Sequence, residues 1–286
     1  MSHGASTLVV ATRDVSSKLR RMSALDLDLA LDTARRAVEA ASRASLDHFR
    51  RGVRVELKPD RSPVTNADRD AEAAVLDVIR ATFPGHAFLG EETGAHAGTA
   101  PSRWIVDPLD GTRGFARGES FWGPLVALEH ESEVVAGAMG LPVFGEVYFA
   151  ARARGAFLAL GNAAPQRLRV SPVAKWEDAT FSMGEPRTLL APSLLEPVAH
   201  LATTCARTRC HGDLAGLAMV LTGRAEAWIE AGVQIWDLAP LKILVEEAGG
   251  RFTDFAGRAT HASGECIASN GVLHDHVLEA LLRHRT

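Results

Sequence analysis

Trp104-Ile105-Val106-Asp107-Pro108-Leu109-Asp110-Gly111-Thr112 decides the reading of this chain. An apolar strand delivers a short loop, stiffened by Pro108 and Gly111, that carries two carboxylates and a hydroxyl. Hard anionic oxygens held in this way are what a magnesium-assisted reaction on phosphate requires. The expectation is an enzyme.

Around this stretch, 286 residues suffice for one large core or two packed subdomains, and a 47% hydrophobic content suits a globular protein. The formal net charge of −4, without clustered lysines and arginines, argues against a nucleic-acid polymer as partner. No apolar run is long enough for a signal peptide or a membrane span. Cys205, Cys210 and Cys266 lack the pairing and spacing of a disulfide scaffold or a thiolate zinc site. They read as small core residues in a protein of the reducing cytoplasm. Residues 1–22 are expected to be a disordered extension, 23–165 an α+β subdomain with the metal loop, and 166–286 an α/β subdomain, together one catalytic unit.

Apolar residues Leu27, Leu31, Ala34, Val38 and Ala41 recur at steps of four and three, which predicts an amphipathic helix over 24–49 that Gly52 ends. The segment from Lys58 to Pro63 reads as a mobile polar loop, after which Thr65 caps a second helix running to about Phe83. Asp68 falls in its first turn, where the helix dipole favours a carboxylate. Short β-rich runs at 124–128, 134–139, 146–150 and 156–158 predict an antiparallel meander. Beyond it, strands near 180–183 and 227–229 alternate with helices near 193–202, 213–221 and 237–248, as in an α/β layer.

Glu91, Asp107, Asp110 and Asp237 each follow an apolar or Gly-containing approach that places a carboxylate at the end of a buried element. If they converge, oxygen-only coordination selects magnesium, with Asp107 bridging two ions, Asp110 and Asp237 on one, Glu91 on the other, and the Leu109 carbonyl also available. Gly111 and Thr112 offer backbone N–H groups to phosphate oxygens. A Thr112 hydroxyl held by Asp68 can orient and deprotonate a water for in-line attack on phosphorus. Each residue also has a plain structural reading. Asp107-Pro108 is an Asx turn, Glu91-Glu92 a solvated loop, Asp237 a helix cap beneath a core Trp236, Asp68 a dipole partner, Thr112 a cap, Lys58 a solvated cation, Glu230 a strand end and His211 a satisfied loop histidine.

Taken in order, Gly90-Glu91-Glu92, Asp107-Pro108-Leu109-Asp110-Gly111-Thr112, Trp236-Asp237 and Glu246-Glu247-Ala248-Gly249-Gly250 resemble the inositol monophosphatase superfamily from about Ala24 to the end of the chain. The resemblance implies a layered αβαβα sandwich, commonly a homodimer, that hydrolyses a small phosphorylated metabolite with two or three magnesium ions and is often inhibited by lithium. It assigns metal binding to Glu91, Asp107, the Leu109 carbonyl, Asp110 and Asp237, pairs Asp68 with Thr112, and places Lys58 on an active-site loop. Phe115-Ala116-Arg117-Gly118, His211-Gly212-Asp213, Thr222-Gly223-Arg224-Ala225-Glu226 and the tail from Ala268 to Asp275 look most like the histidinol-phosphate phosphatase branch. Leu214, Ala215 and Pro240 depart from that pattern, so inositol monophosphatase and bisphosphate nucleotidase activities stay open as alternatives. For histidinol phosphate, Asp213 and Glu230 are the carboxylates expected to pair with the substrate ammonium. The alternative from another class is a metal-dependent binding protein without turnover, and the intact Thr112 and Asp68 speak against it.

Overall fold

The computed structural model describes residues 25–52, 55–57 and 63–283; the expected extension at 1–22 and Lys58 lie outside the described residues. Helix α1 (Leu27–Arg51) begins where the Asp26 side chain accepts the Asp28 and Leu29 amides, and Gly52 follows it as the cap. Its buried stripe of Ala30, Ala34, Ala37, Val38 and Ala41 keeps the helical period, and small side chains let it lie close to its neighbours. The hairpin of β1 (Val55–Leu57) and β2 (Pro63–Thr65) leads into α2 (Asn66–Thr82), capped by Thr65 as expected.

The first sheet contains β3 (Ala87–Gly90), β4 (Gly94–His96) and β5 (Ser102–Asp110). After the short α3 (Thr112–Phe115) it continues with β6 (Gly123–His130), β7 (Glu133–Leu141), β8 (Glu146–Ala151), β9 (Gly155–Leu160) and β10 (Gln166–Arg167). Its eight strands lie in the order β10-β9-β8-β7-β6-β5-β3-β4. β3 and β5 pair in parallel, while β5 through β9 form the expected antiparallel meander.

The second half supplies β11 (Thr180–Met183), α4 (Pro186–Leu189), α5 (Pro192–Thr204), β12 (Arg207–Cys210), α6 (Asp213–Leu221) and β13 (Ala227–Ala231). It ends with α7 (Ile235–Glu247), β14 (Arg251–Thr253), β15 (Glu265–Ser269) and α8 (His274–Arg283). Here five strands run in the order β12-β11-β13-β15-β14, with β11 parallel to both of its neighbours.

Buried side chains define the layers. Trp104, Val106, Val126 and Leu128 meet α1 and α2 on one face of the first sheet. Ile105, Leu125, Ala127 and Met139 turn to the other face, where α6 and α7 fill the space up to Trp228, Phe252 and Cys266 of the second sheet. Phe181, Ile229 and Ile267 then meet α5 and α8 beyond it. The alternation along β5 follows from the period-two geometry of a strand, and each such side chain contributes roughly 2 kcal/mol of burial. The result is the five-layer αβαβα sandwich. One expectation holds only in part: Cys266 is buried, Cys205 at the end of α5 is half-buried against the outer core, and Cys210 is exposed, because β12, which ends there, is the edge strand of its sheet.

Candidate active site

β5 does not give way to a loop at Asp107, as the sequence suggested, but carries its ladder on to Asp110. Asp107 pairs with Leu125 and Asp110 with Gly123, so β5 spends one residue more than β6 between these points. Residues three apart on a regular strand face opposite sides; the extra residue of this bulge turns both aspartates to one side. Pro108 has no N–H to contribute to a ladder and sits where none is needed.

One carboxylate oxygen from each of Asp107, Asp110 and Asp237 lies within 4.8 Å of the other two. Asp107 is buried and the others half-buried. The Asp107 Oδ1 accepts the Leu109 amide at 2.8 Å, so the Asx turn is real, and the second oxygen remains for the cluster. Asp237 comes from the first turn of α7, where its Oδ2 accepts the Gln234 amide at 2.6 Å. It is thus the third residue of the helix rather than its cap, and Trp236 is half-buried, packed against the edge of the core while also lining the cleft.

Burial pushes the Asp107 carboxyl well above its ordinary value, and Glu91, Asp110 and Asp237 push it further. Asp110 is raised in the same direction by burial and then by Asp213, Asp237, Glu91 and Glu230. Asp237 is pushed up to about 6, chiefly by burial and against the stabilising Gln234 N–H. No cationic side chain is among the leading influences on these three. Carboxylates crowded in this way ionise together only if positive charge is supplied from outside, and an all-oxygen donor set suits a hard divalent cation. The residues fit such an ion.

Thr112 opens α3 beside this cluster. Its Oγ1 lies 3.1 Å from Asp68 Oδ1 and 2.9 Å from the Leu109 carbonyl, so its single proton is shared between two acceptors. Asp68 is buried at the start of α2 and also accepts the Thr65 amide at 2.7 Å and the Thr65 hydroxyl at 2.6 Å. Burial raises its pKa, and the hydroxyls of Thr65 and Thr112 oppose that rise. Leu109, Phe115, Trp122 and Ala67 pack beneath the turn, with Phe115 and Trp122 edge to face at 4.6 Å between centroids.

Glu91, Asp107, Leu109, Asp110, Gly111, Thr112, Asp213 and Asp237 line one cleft of about 660 Å³, so these eight predicted residues converge; Asp68 does not line it and meets it through Thr112. Glu230 does not line it. It lies one step deeper, 5% exposed, bordering a small hollow with Asp110, Asp213 and Asp237. There it accepts the amides of Glu185 and Ala231 at 2.9 and 3.0 Å, in space that a side chain at Gly184 would occupy. Its pKa is pushed up to about 7 by burial, while that of Asp213 rises to about 6 through desolvation and the nearby Glu119 and Glu185. Asp213 adopts φ +51°, a costly conformation for a residue with a side chain. His211 is no ligand of the acidic group: its carbonyl accepts from Trp228 Nε1 at 3.0 Å and its ring lies beside Phe121.

Glu185, Glu119, Arg113, Arg117 and Trp236 line the same cleft and were missed as site residues. Nothing in the local sequence marks Glu185, Glu119 or Arg113, whereas Arg117 stands in the motif from Phe115 to Gly118 quoted above and Trp236 stands beside Asp237.

The model of the inositol monophosphatase family matches residues 26–286. The chain belongs to that family. It is 40% identical to the histidinol-phosphatase of Mycobacterium tuberculosis, over 91% of this chain and 99% of the relative, and 37% identical to that of Chlorobaculum parvum, over 90% and 96%. The crystal structure of the extragenic suppressor protein suhB from Bartonella henselae superposes with a TM-score of 0.79 at 31% identity, covering 87% of this chain and 97% of that one. This family member is therefore a phosphomonoester hydrolase acting on a small phosphorylated molecule, and its acidic cluster matches the family's dependence on metal. Among the described residues no helix is long and apolar enough to cross a membrane.

Proposed function

We propose that the protein is a magnesium-dependent histidinol-phosphate phosphatase. The observation that carries the substrate is a second set of carboxylates beside the first. Asp213 at the cleft and Glu230 beneath it have raised pKa values, and no described lysine or arginine is among their leading influences. A phosphomonoester that also bears an ammonium group satisfies both halves of such a cleft, whereas inositol phosphate brings no cation. The identity to two histidinol-phosphatases over nine-tenths of the chain supports the same substrate.

Glu91, Asp107, Asp110, Asp237 and the Leu109 carbonyl would hold two or three ions. Bound magnesium supplies charge neutralisation of the phosphate and a lowered pKa for the attacking water. The protein does the rest. The Gly111 and Thr112 amides at the start of α3 hold phosphate oxygens, and Thr112 accepts the water proton while its own passes to Asp68. Asp213 holds the ammonium end, so the ester bond lies between two fixed points. A homodimer in the reducing cytoplasm completes the reading; the exposed stack of Phe121 on Phe144, 5.5 Å between centroids, supports a second copy as its cover, and lithium is the expected inhibitor.

Phosphate release from histidinol phosphate, inositol 1-phosphate and adenosine 3′,5′-bisphosphate tests the substrate. With magnesium present, kcat/KM for histidinol phosphate should lead by at least about tenfold, the worth of one charge-assisted contact. A preference for either of the others overturns the proposal.

A further inference from the structure

Helix α2 contributes two carboxylates to its buried face, four residues apart: Asp68, which holds Thr112, and Glu72. Glu72 is 1% exposed and has no part in the chemistry described so far. Its Oε2 accepts the Glu92 amide at 3.0 Å, and its Oε1 accepts the Thr93 amide at 3.2 Å and the Thr93 hydroxyl at 2.5 Å. All three partners belong to the turn between β3 and β4, immediately after Glu91. On its other side, Glu91 is tied to the sheet by its own amide, which reaches the Val106 carbonyl at 3.1 Å. The acidic residue of the turn is thus pinned from both ends.

Residue 90 shows how closely the carboxylate fits. A Cβ there would overlap Glu72 Oε1 and Cδ, so glycine is required by the close approach and not by its torsion angles. An ionised carboxylate is acceptor-only, which matches a turn offering three donors. Glutamine in its place would set an NH2 against one of the two amide N–H groups, and the isosteric change already breaks the arrangement.

We propose that Glu72 is a positioning residue for Glu91: by accepting the Glu92 and Thr93 donors it holds the turn at the height from which the Glu91 carboxylate reaches the ion. The inference rests on the reading of Glu91 as a magnesium ligand. Groups that orient a metal ligand in this way are typically worth about 10- to 100-fold in metal affinity.

The test uses the full chain, with calorimetric titration of magnesium chloride and amide hydrogen exchange at Glu92 and Thr93. Glu72→Gln should weaken magnesium binding about tenfold or more and speed exchange of both amides, while the KM for magnesium rises far more than kcat at saturating magnesium falls. Thr93→Val, an exposed position whose exchange cannot threaten the core, removes one of the three bonds and should weaken binding about three- to fivefold. It decides the matter alone if Glu72→Gln does not fold. Glu91→Gln separates the two claims. If it binds magnesium like the unaltered protein, the ligand reading falls and the proposal with it. If it binds weakly while Glu72→Gln, or Thr93→Val in its stead, keeps normal affinity and exchange, only the positioning proposal is overturned.

Discussion

Stripping divalent ions from this protein should make its stability fall as the pH rises. Asp237 and Glu230 both have folded-state pKa values raised above their ordinary ones, so the stability they contribute is complete below about pH 4 and is lost as pH climbs through their folded values of about 6 and about 7. A rise from 3.8 to about 6 for Asp237 corresponds to roughly 3 kcal/mol, and a rise from 4.5 to about 7 for Glu230 to a similar amount. At roughly 2 to 4 °C per kcal/mol for a chain of this size, each group moves the melting temperature by about 6 to 12 °C. Differential scanning calorimetry in chelator, from pH 5 to 8.5, should record the part of the decline that lies above pH 5, most of it from Glu230 and about half of the Asp237 share. Magnesium favours the ionised carboxylates, so its protection should be small at pH 5 and large at pH 8. A melting temperature in chelator that is flat across this range, or protection by magnesium that is equal at both ends, would refute the reasoning.

Four substitutions probe the site and its support. Asp107→Asn keeps the shape of the buried carboxylate of the acidic cluster and removes its charge; steady-state assays should show kcat down by roughly a thousandfold, about 4 kcal/mol, with an unchanged circular dichroism spectrum. Thr112→Val cuts the hydroxyl away from Asp68 and should cost about a hundredfold in kcat, while magnesium affinity from calorimetry stays within a few-fold of normal. Glu230→Gln should lower kcat/KM for histidinol phosphate about tenfold, leave aryl phosphate hydrolysis little changed, and abolish the rise in affinity for the cationic substrate between pH 6 and 8 that ionisation of Glu230 produces. Leu109→Ala empties a fully buried position beneath the metal turn, and denaturant titration should register a loss of about 3 kcal/mol.

Much of the architecture could be read from periodicity. The spacing of Leu27, Leu31, Ala34 and Val38 marks α1, and Thr65 announces α2, because caps and amphipathic stripes are local properties. The acidic cluster was legible for another reason: an acid at the end of an apolar run is costly unless something outside the run needs it. Glu72 escaped because a glutamate within a helix is ordinary, and only the fold shows that its side of α2 turns inward toward another hairpin. The bulge at Asp107 escaped because strand register is set by the partner strand, which no local window contains. Cys210 was misread for the same reason, since whether a strand lies at an edge is decided by its neighbours.

The donors of the acidic centre come from separate layers: Asp107 and Asp110 from the rim of the first sheet, Asp237 from a helix sandwiched between the two sheets. Neither layer holds a competent centre alone. The ability to cleave esters therefore belongs to the assembled sandwich alone, in which the middle helix carries Asp237 up against the first sheet like a rivet through a seam. A molecule whose layers parted would fall chemically silent, and the tightness with which it retained an ion would gauge how well they stayed closed.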